Sequence, residues 1–190
     1  MCGIGGMLGH PDPSIVHRMN SLLSHRGPDG NDVWSDSHIS LGHTRLAILD
    51  IEGSAQPLFG PHNEVLIVNG EIYNFRQLRN AKPMYPWTTK GDSEVLLSLF
   101  HSAKAKVNGQ LSARQHSEWI KHLNGMYAFA LWDSDERQLI LARDPLGIKP
   151  LVRTLVDGSL LFASEFKAFR GHESFIPVLD ESALVARIAW

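Results

Sequence analysis

The sequence predicts an α+β fold built on antiparallel sheets, and three observations carry that prediction. Met126 to Trp132 and Gln138 to Arg143 are strand-like runs joined by the turn Asp133-Ser134-Asp135-Glu136, so they pair as a hairpin. Glu64 to Val68 is apolar enough to be buried on both faces. Amphipathic helical stretches lie between the strands without the regular βαβ alternation that a parallel sheet requires.

Ile4 to Leu8 is a short apolar run beside three glycines and reads as a buried first strand. Those glycines do not make a dinucleotide loop: counted from Gly3, the third required glycine falls on Leu8. Asp12-Pro13 supplies a cap and a first-turn proline for a helix with Ile15, Val16, Met19, Leu22 and Leu23 on one face. His25-Arg26-Gly27-Pro28-Asp29-Gly30 breaks that helix with turn residues. Gly42 to Ile48 is a strand-like segment with Arg45 as its one fixed cation. Asn69-Gly70, directly after the Glu64 strand, reads locally as a hairpin turn.

Residues 76–91, with Pro83 and Pro86, read as loop. Asp92 or Ser93 then caps a helix bearing Val95, Leu96, Leu99 and Phe100. Residues 101–118 are polar and weakly patterned, and His116, Trp119, Ile120 and Leu123 resume helical spacing. Asp144-Pro145-Leu146-Gly147-Ile148-Lys149-Pro150 is a turn-rich link before strands near 151–155 and 159–163. Ser164 is placed to cap a short helix through Phe169, and Asp180 opens a last helix with Leu184, Val185 and Ile188.

The formal charge of −2 on 190 residues gives no field suited to nucleic acid or an anionic membrane. A single cysteine excludes an internal disulfide and fits a reducing compartment. The first residues lack a secretory signal, and no run approaches the roughly 20 apolar residues needed to span a bilayer. The expectation is one soluble, cytoplasmic domain over residues 1–190. The ten histidines show no metal-ligand spacing; His116 and His122 stand six apart rather than four, so no metal is expected.

The one cysteine, Cys2, sits where removal of Met1 makes it the N-terminal residue. It then carries a nucleophilic thiol and a free α-amine that titrates near pH 7.7–8.0 as a reference value, so nucleophile and base share one residue. A second residue on a flexible end is more often an accident, and the rest of the chain decides between the two.

Seven segments decide it. Cys2-Gly3-Ile4, His25-Arg26-Gly27-Pro28-Asp29, Gly42-His43-Thr44-Arg45-Leu46, Asn69-Gly70-Glu71-Ile72-Tyr73-Asn74, Gly91-Asp92-Ser93-Glu94, Ala142 to Pro150 and Ala163-Ser164-Glu165-Phe166-Lys167 occur in one order. Together they resemble the glutaminase domain of glutamine-hydrolysing asparagine synthetases, class II glutamine amidotransferases of the N-terminal-nucleophile hydrolases. The resemblance covers essentially the whole chain. It implies a four-layer α-β-β-α sandwich of two antiparallel sheets. It also implies that Cys2 attacks the carboxamide of L-glutamine, giving a glutamyl thioester and ammonia, with its α-amine moving the protons. Asn69 and Gly70 become the oxyanion donors, and Arg45 the partner of the substrate carboxylate. Asp92, helped by Glu71, takes the substrate ammonium, and Leu46, Ile48 and Leu49 line the pocket. His25, Arg26, Asp29 and the Asp144–Pro150 loop become pocket wall or domain-interface scaffolding.

The sequence departs from the family at two places. Val152 and Arg153 stand where tyrosines usually follow the Lys-Pro, and the segment around 101–118 is longer than usual. No Ser-Gly-Gly-x-Asp-Ser pyrophosphate loop occurs, so a synthetase domain is expected to be absent from this chain. ATP and Mg belong to that domain, and no cofactor is expected for the glutaminase step. Ammonia then passes to a separate domain, a subunit or solvent, and a homodimer is compatible with the pattern. Another class II amidotransferase, or a non-catalytic docking module of the same fold, are the alternatives.

Overall fold

The structure is a computed structural model that describes residues 1–47, 50, 53–107 and 109–188. The strands are β1 (Gly3–Leu8), β2 (Gly30–Ser35), β3 (Ile39–Arg45), β4 (Leu58–Phe59), β5 (Glu64–Ile72), β6 (Gly125–Asp133), β7 (Gln138–Arg143), β8 (Val152–Val156) and β9 (Ser159–Ala163). The helices are α1 (Pro13–Leu22), α2 (Phe75–Asn80), α3 (Val95–Lys104), α4 (Ala113–Ile120) and α5 (Glu181–Ile188). Every strand pair is antiparallel, in a five-stranded sheet β2-β3-β1-β9-β8 and a four-stranded sheet β4-β5-β6-β7.

Period-two side-chain alternation sorts the apolar residues of each strand into different layers. Val65 and Ile67 of β5 and Ala128, Ala130 and Trp132 of β6 face the space between the sheets, where Ile4, Ile39, Leu41 and Phe162 meet them. The alternate residues Leu66, Val68, Phe129 and Leu131 pack outward against Leu96, Phe100 and Trp119 of α3 and α4. On the far side, Met7, Leu161 and Ala163 pack against Val16 and Met19 of α1 and Phe169 of a 3-10 turn. The result is the expected four-layer α-β-β-α sandwich. The glycines of β1 serve this packing: a Cβ on Gly6 would stand 2.3 Å from the Phe162 ring, which lies over the strand. Among the described residues no helix is long and apolar enough to cross a membrane.

Several local expectations are corrected. Leu22 is 37% exposed, and Asn20 takes the buried position on α1, where its Nδ2 donates to Asn31 Oδ1 at 2.8 Å and the Asp32 carbonyl at 3.1 Å. β2 is a strand that the turn-rich reading of residues 25–30 did not anticipate, and α2 runs from Phe75 into the start of the segment 76–91 read as loop. Asn69-Gly70 is not a turn. Pairing with β6 carries β5 straight through it, with Asn69 opposite Ala128 and Gly70 opposite Tyr127. A Cβ on Gly70 would stand 2.4 Å from the Met126 carbonyl oxygen, so the glycine serves close strand approach rather than turn geometry. Ser164 caps no helix; its Oγ accepts from Ile4 N–H at 3.0 Å, tying the end of β9 to β1. The last helix starts as read, with Asp180 Oδ1 accepting from Ala183 N–H at 2.9 Å. Leu184 is 43% exposed, while the Val185 and Ile188 side chains lie outside the described residues.

Candidate active site

One pocket opens at the head of β1, between the two sheets. It is lined by Met1, Cys2, Arg45, Leu46, Ser54, Gln56, Val68, Asn69, Gly70, Glu71, Asp92, Ser93, Met126 and Lys149. Of the residues expected at the site, Cys2, Arg45, Leu46, Asn69, Gly70, Glu71 and Asp92 therefore share it. Ile48 and Leu49 lie outside the described residues.

Cys2 precedes the first β1–β3 pair, Gly3 with Thr44, and this register brings its thiol to the end of β3. The Leu46 N–H donates to Cys2 Sγ at 3.4 Å, and the Cys2 thiol donates to the Leu46 carbonyl at 3.7 Å. The Cys2 carbonyl accepts from Arg26 Nε at 3.0 Å, and Arg26 Nη1 donates to Glu165 Oε1 at 2.7 Å. His25 Nε2 lies 3.0 Å from the same carboxylate oxygen. Burial alone pushes the Glu165 carboxyl up, but the Arg26 and His25 hydrogen bonds and charges carry it down to about 2. Its stabilising contribution is thus complete above about pH 4.5 and is lost only as pH falls toward 2. Asp29 accepts from Ala47 N–H at 2.9 Å through its carboxylate, fixing the chain just beyond β3. The segment expected to be scaffolding holds the backbone of the cysteine.

Asn69 is 1% exposed, and its Nδ2 is buried with no hydrogen-bond partner among the described residues. The strand around it is fixed on both sides of Val68. Gln56 Oε1 accepts from Val68 N–H at 2.6 Å, and His43 Nε2 donates to the Val68 carbonyl at 3.2 Å. Burial lowers His43 to about 4, so it stays neutral and bridges the sheets as an Nε2–H tautomer near pH 7. An amide donor thus stands ready inside the pocket, unsatisfied in the resting protein.

Asp92 is not a helix cap. Its Oδ2 accepts from Ile72 N–H at 2.7 Å, so the residue is tied to the end of β5. Burial, with the Glu71 charge adding to it, raises the Asp92 carboxyl against the opposing hydrogen bonds. A cation arriving in the pocket relieves that tension. Across the pocket Arg45 Nη2 donates to the Asp50 carbonyl at 2.9 Å, which holds the guanidinium at the rim.

Glu94, 1% exposed, fixes the loop that delivers Asp92. Its carboxylate accepts from Thr88 N–H and Oγ1 at 2.8 and 2.9 Å, and from Thr89 N–H and Oγ1 at 2.8 and 2.7 Å. Glu94→Ala orphans all four donors, and the expected loss is roughly 3 kcal/mol of stability, read as a lower urea midpoint at unchanged slope. A midpoint within error of wild type would remove Glu94 from this role.

The sequence reading missed Gln56, Ser54, Ser93 and Met126 as pocket residues, and it took Lys149 only as part of the Asp144–Pro150 loop, read as pocket wall or domain-interface scaffolding. Of those missed, only Ser93 lay within a quoted motif.

A cysteine at the head of a central strand in a two-sheet α-β-β-α sandwich is the arrangement of the N-terminal-nucleophile hydrolases. Residues 1–189 match the glutamine amidotransferase domain family, and the chain belongs to it. It is 36% identical, over 97% of its length, to asparagine synthetase [glutamine-hydrolyzing] 3 of Bacillus subtilis (strain 168), and covers 30% of that protein. Against asparagine synthetase B [glutamine-hydrolyzing] of Escherichia coli (strain K12) the identity is 36%, with 88% of this chain and 30% of the relative covered. Among solved structures, glutamine phosphoribosylpyrophosphate amidotransferase from B. subtilis, complexed with ADP and GMP, superposes with a TM-score of 0.70 at 26% identity. That match covers 89% of this chain and 43% of the other. The chain thus spans less than a third of the length of the synthetases it matches.

Proposed function

We propose that this domain hydrolyses L-glutamine to L-glutamate and ammonia through Cys2, and that the ammonia serves asparagine synthesis by a synthetase domain or subunit. The observation that carries the reading is the unpartnered amide of Asn69 in the same pocket as the Cys2 thiol.

With Met1 removed, the Cys2 α-amine takes the thiol proton as the sulfur adds to the substrate carboxamide carbon. The oxyanion is held by Asn69 Nδ2 and the Gly70 N–H. Collapse breaks the C–N bond, and the α-ammonium returns the proton so that ammonia leaves and a glutamyl thioester remains. Water, deprotonated by the same amine, attacks the thioester and frees glutamate and the thiol. Arg45 pairs with the α-carboxylate and Asp92, with Glu71, holds the α-ammonium, with Leu46 contributing to the wall beside them. Opposite charges at the two ends of the pocket select a free amino acid. ATP and Mg are reserved for the synthetase step. Destination in the asparagine pathway is supported by the names of the relatives at 36% identity. A cytoplasmic setting suits a thiol that must stay reduced.

The test is to incubate the chain, shown by intact mass to lack Met1, with glutamine and to quantify products. Equimolar glutamate and ammonia are expected. Absence of turnover from correctly processed protein overturns the proposal.

A second result follows from the raised Asp92 carboxyl. Asp92→Asn keeps an acceptor for Ile72 but removes the charge, so KM for glutamine should rise by about 100-fold. A carboxyl raised by burial favours folding in its protonated form below its ordinary range, and that benefit is lost as pH rises through the shifted value. The neutral variant should therefore melt at or above the wild-type temperature at pH 7, and below-wild-type melting with unchanged KM would contradict the assignment.

A further inference from the structure

The loop from Asp144 to Pro150 is organised around one residue. Asp144 folds it back: Gly147 N–H donates to the Asp144 carbonyl at 2.9 Å, and Ile148 and Lys149 N–H donate to its two carboxylate oxygens at 2.9 Å each. From the other side Arg143 Nε donates to the Lys149 carbonyl at 2.6 Å, and Arg143 Nη2 to the Gly147 carbonyl at 2.5 Å. Both backbone polar groups of Lys149 are thereby fixed.

The burial that results inverts ordinary preference. Leu146 and Ile148 are 84% and 54% exposed, while Lys149 is 5% exposed and lines the pocket with Cys2, Asn69 and Glu71. Its ammonium donates to Met1 Sδ at 3.3 Å, a weak acceptor for a buried charge. That thioether belongs to the residue whose removal creates the α-amine of Cys2.

We propose that Lys149 is a positioning residue for glutamine hydrolysis: after Met1 leaves, its ammonium stands in the vacated corner of the pocket and keeps the Cys2 α-amine neutral near pH 7. This rests on Cys2 being the nucleophile proposed above. A fixed positive charge disfavours protonation of an amine beside it, and the neutral amine is the form that accepts the thiol proton. The other charged and titratable groups around the cysteine come from every neighbouring element. Arg26 bonds the Cys2 carbonyl and is backed by Glu165, with His25 and Lys167 on that carboxylate. Arg45 comes from β3, Glu71 from β5 and Asp92 from the segment before α3, while buried His43 stays neutral. Glu71 and Asp92 favour a protonated amine, and Lys149 is the cation that the loop sets against them on the Met1 side.

Because Cys2 is the single cysteine, protein grown on [13C,15N]cysteine shows one α-amine and one thiol by NMR. Processed wild type, Lys149→Met and Lys149→Arg are titrated this way, and kcat/KM for glutamine is measured across pH. Loss of the charge in Lys149→Met should raise the α-amine midpoint by about one pH unit. The acid limb of kcat/KM should move with it, so that activity at pH 6 falls about tenfold while activity at pH 9 barely changes. Lys149→Arg should restore both. Lys149→Gln supplies a second neutral variant if the methionine does not fold. An unmoved midpoint in a folded neutral variant overturns the proposal. A moved midpoint in a protein that never turns over glutamine leaves the effect of Lys149 on the α-amine standing and removes the proposed reaction instead.

Discussion

Cys2→Ala, processed so that alanine is the N-terminal residue, is expected to lower glutamate release by about 10⁴–10⁶-fold. No second thiol exists in the chain to substitute for it. The α-amine, the Asn69 amide and the charges of Arg45 and Asp92 all remain in place in this variant. Glutamine should therefore still bind, and calorimetry should return a dissociation constant close to that of wild type. The unprocessed chain should be as silent as the variant, for two reasons. Its Cys2 nitrogen is an amide with no basic lone pair, and Met1 itself lines the pocket with its sulfur on Lys149. Preparations held in the Met1 form by inhibiting the aminopeptidase during expression test this, and processing afterwards should restore activity. Appreciable glutamate release from Cys2→Ala would end the thiol mechanism. A loss of binding in the same variant would show that the change reached beyond the nucleophile.

What the sequence made legible divides along physical lines. β1, β5 and the β6–β7 hairpin carry their own patterns: continuous apolar runs for strands covered on both faces, and a polar turn between two such runs. β2 carries none, because residues 30–35 sit at an edge, half-exposed, and depend on β3 for their conformation. Asn69-Gly70 has the local chemistry of a turn, and only its ladder with β6, more than fifty residues away, keeps it extended. Asp92 and Ser164 have the local chemistry of helix caps, yet each is spent on a distant strand, at Ile72 and Ile4. In all three cases a tertiary partner displaced a local preference, and two of these positions, Asn69-Gly70 and Asp92, line the pocket. The ordered motifs named the charged and reactive residues. Lys149 was legible only as part of a wall or interface loop, because its reach to Met1 spans 148 positions, which no local spacing reports.

Asn69→Ala is expected to lower kcat by about 10²–10³-fold with little change in KM, the signature of a donor used only when negative charge develops on the substrate oxygen. The resting structure supplies the reason to expect a further effect. A buried amide nitrogen without a partner costs about 1–3 kcal/mol of desolvation. The surrounding strand is held from Val68 by Gln56 and His43 and does not depend on the Asn69 amide. Removing the amide therefore relieves a penalty, partly offset by the small space that alanine leaves. Asn69→Ala should unfold at a denaturant concentration no lower than wild type while losing most of its turnover. Asn69→Asp makes the complementary test, since it keeps the shape but sets a carboxylate against the developing oxyanion, and it should be at least as inactive as alanine. A structural asparagine would give the opposite pairing, with stability and activity falling together. That pattern, or an Asn69→Ala enzyme with near-normal kcat, would move the oxyanion site elsewhere in the pocket.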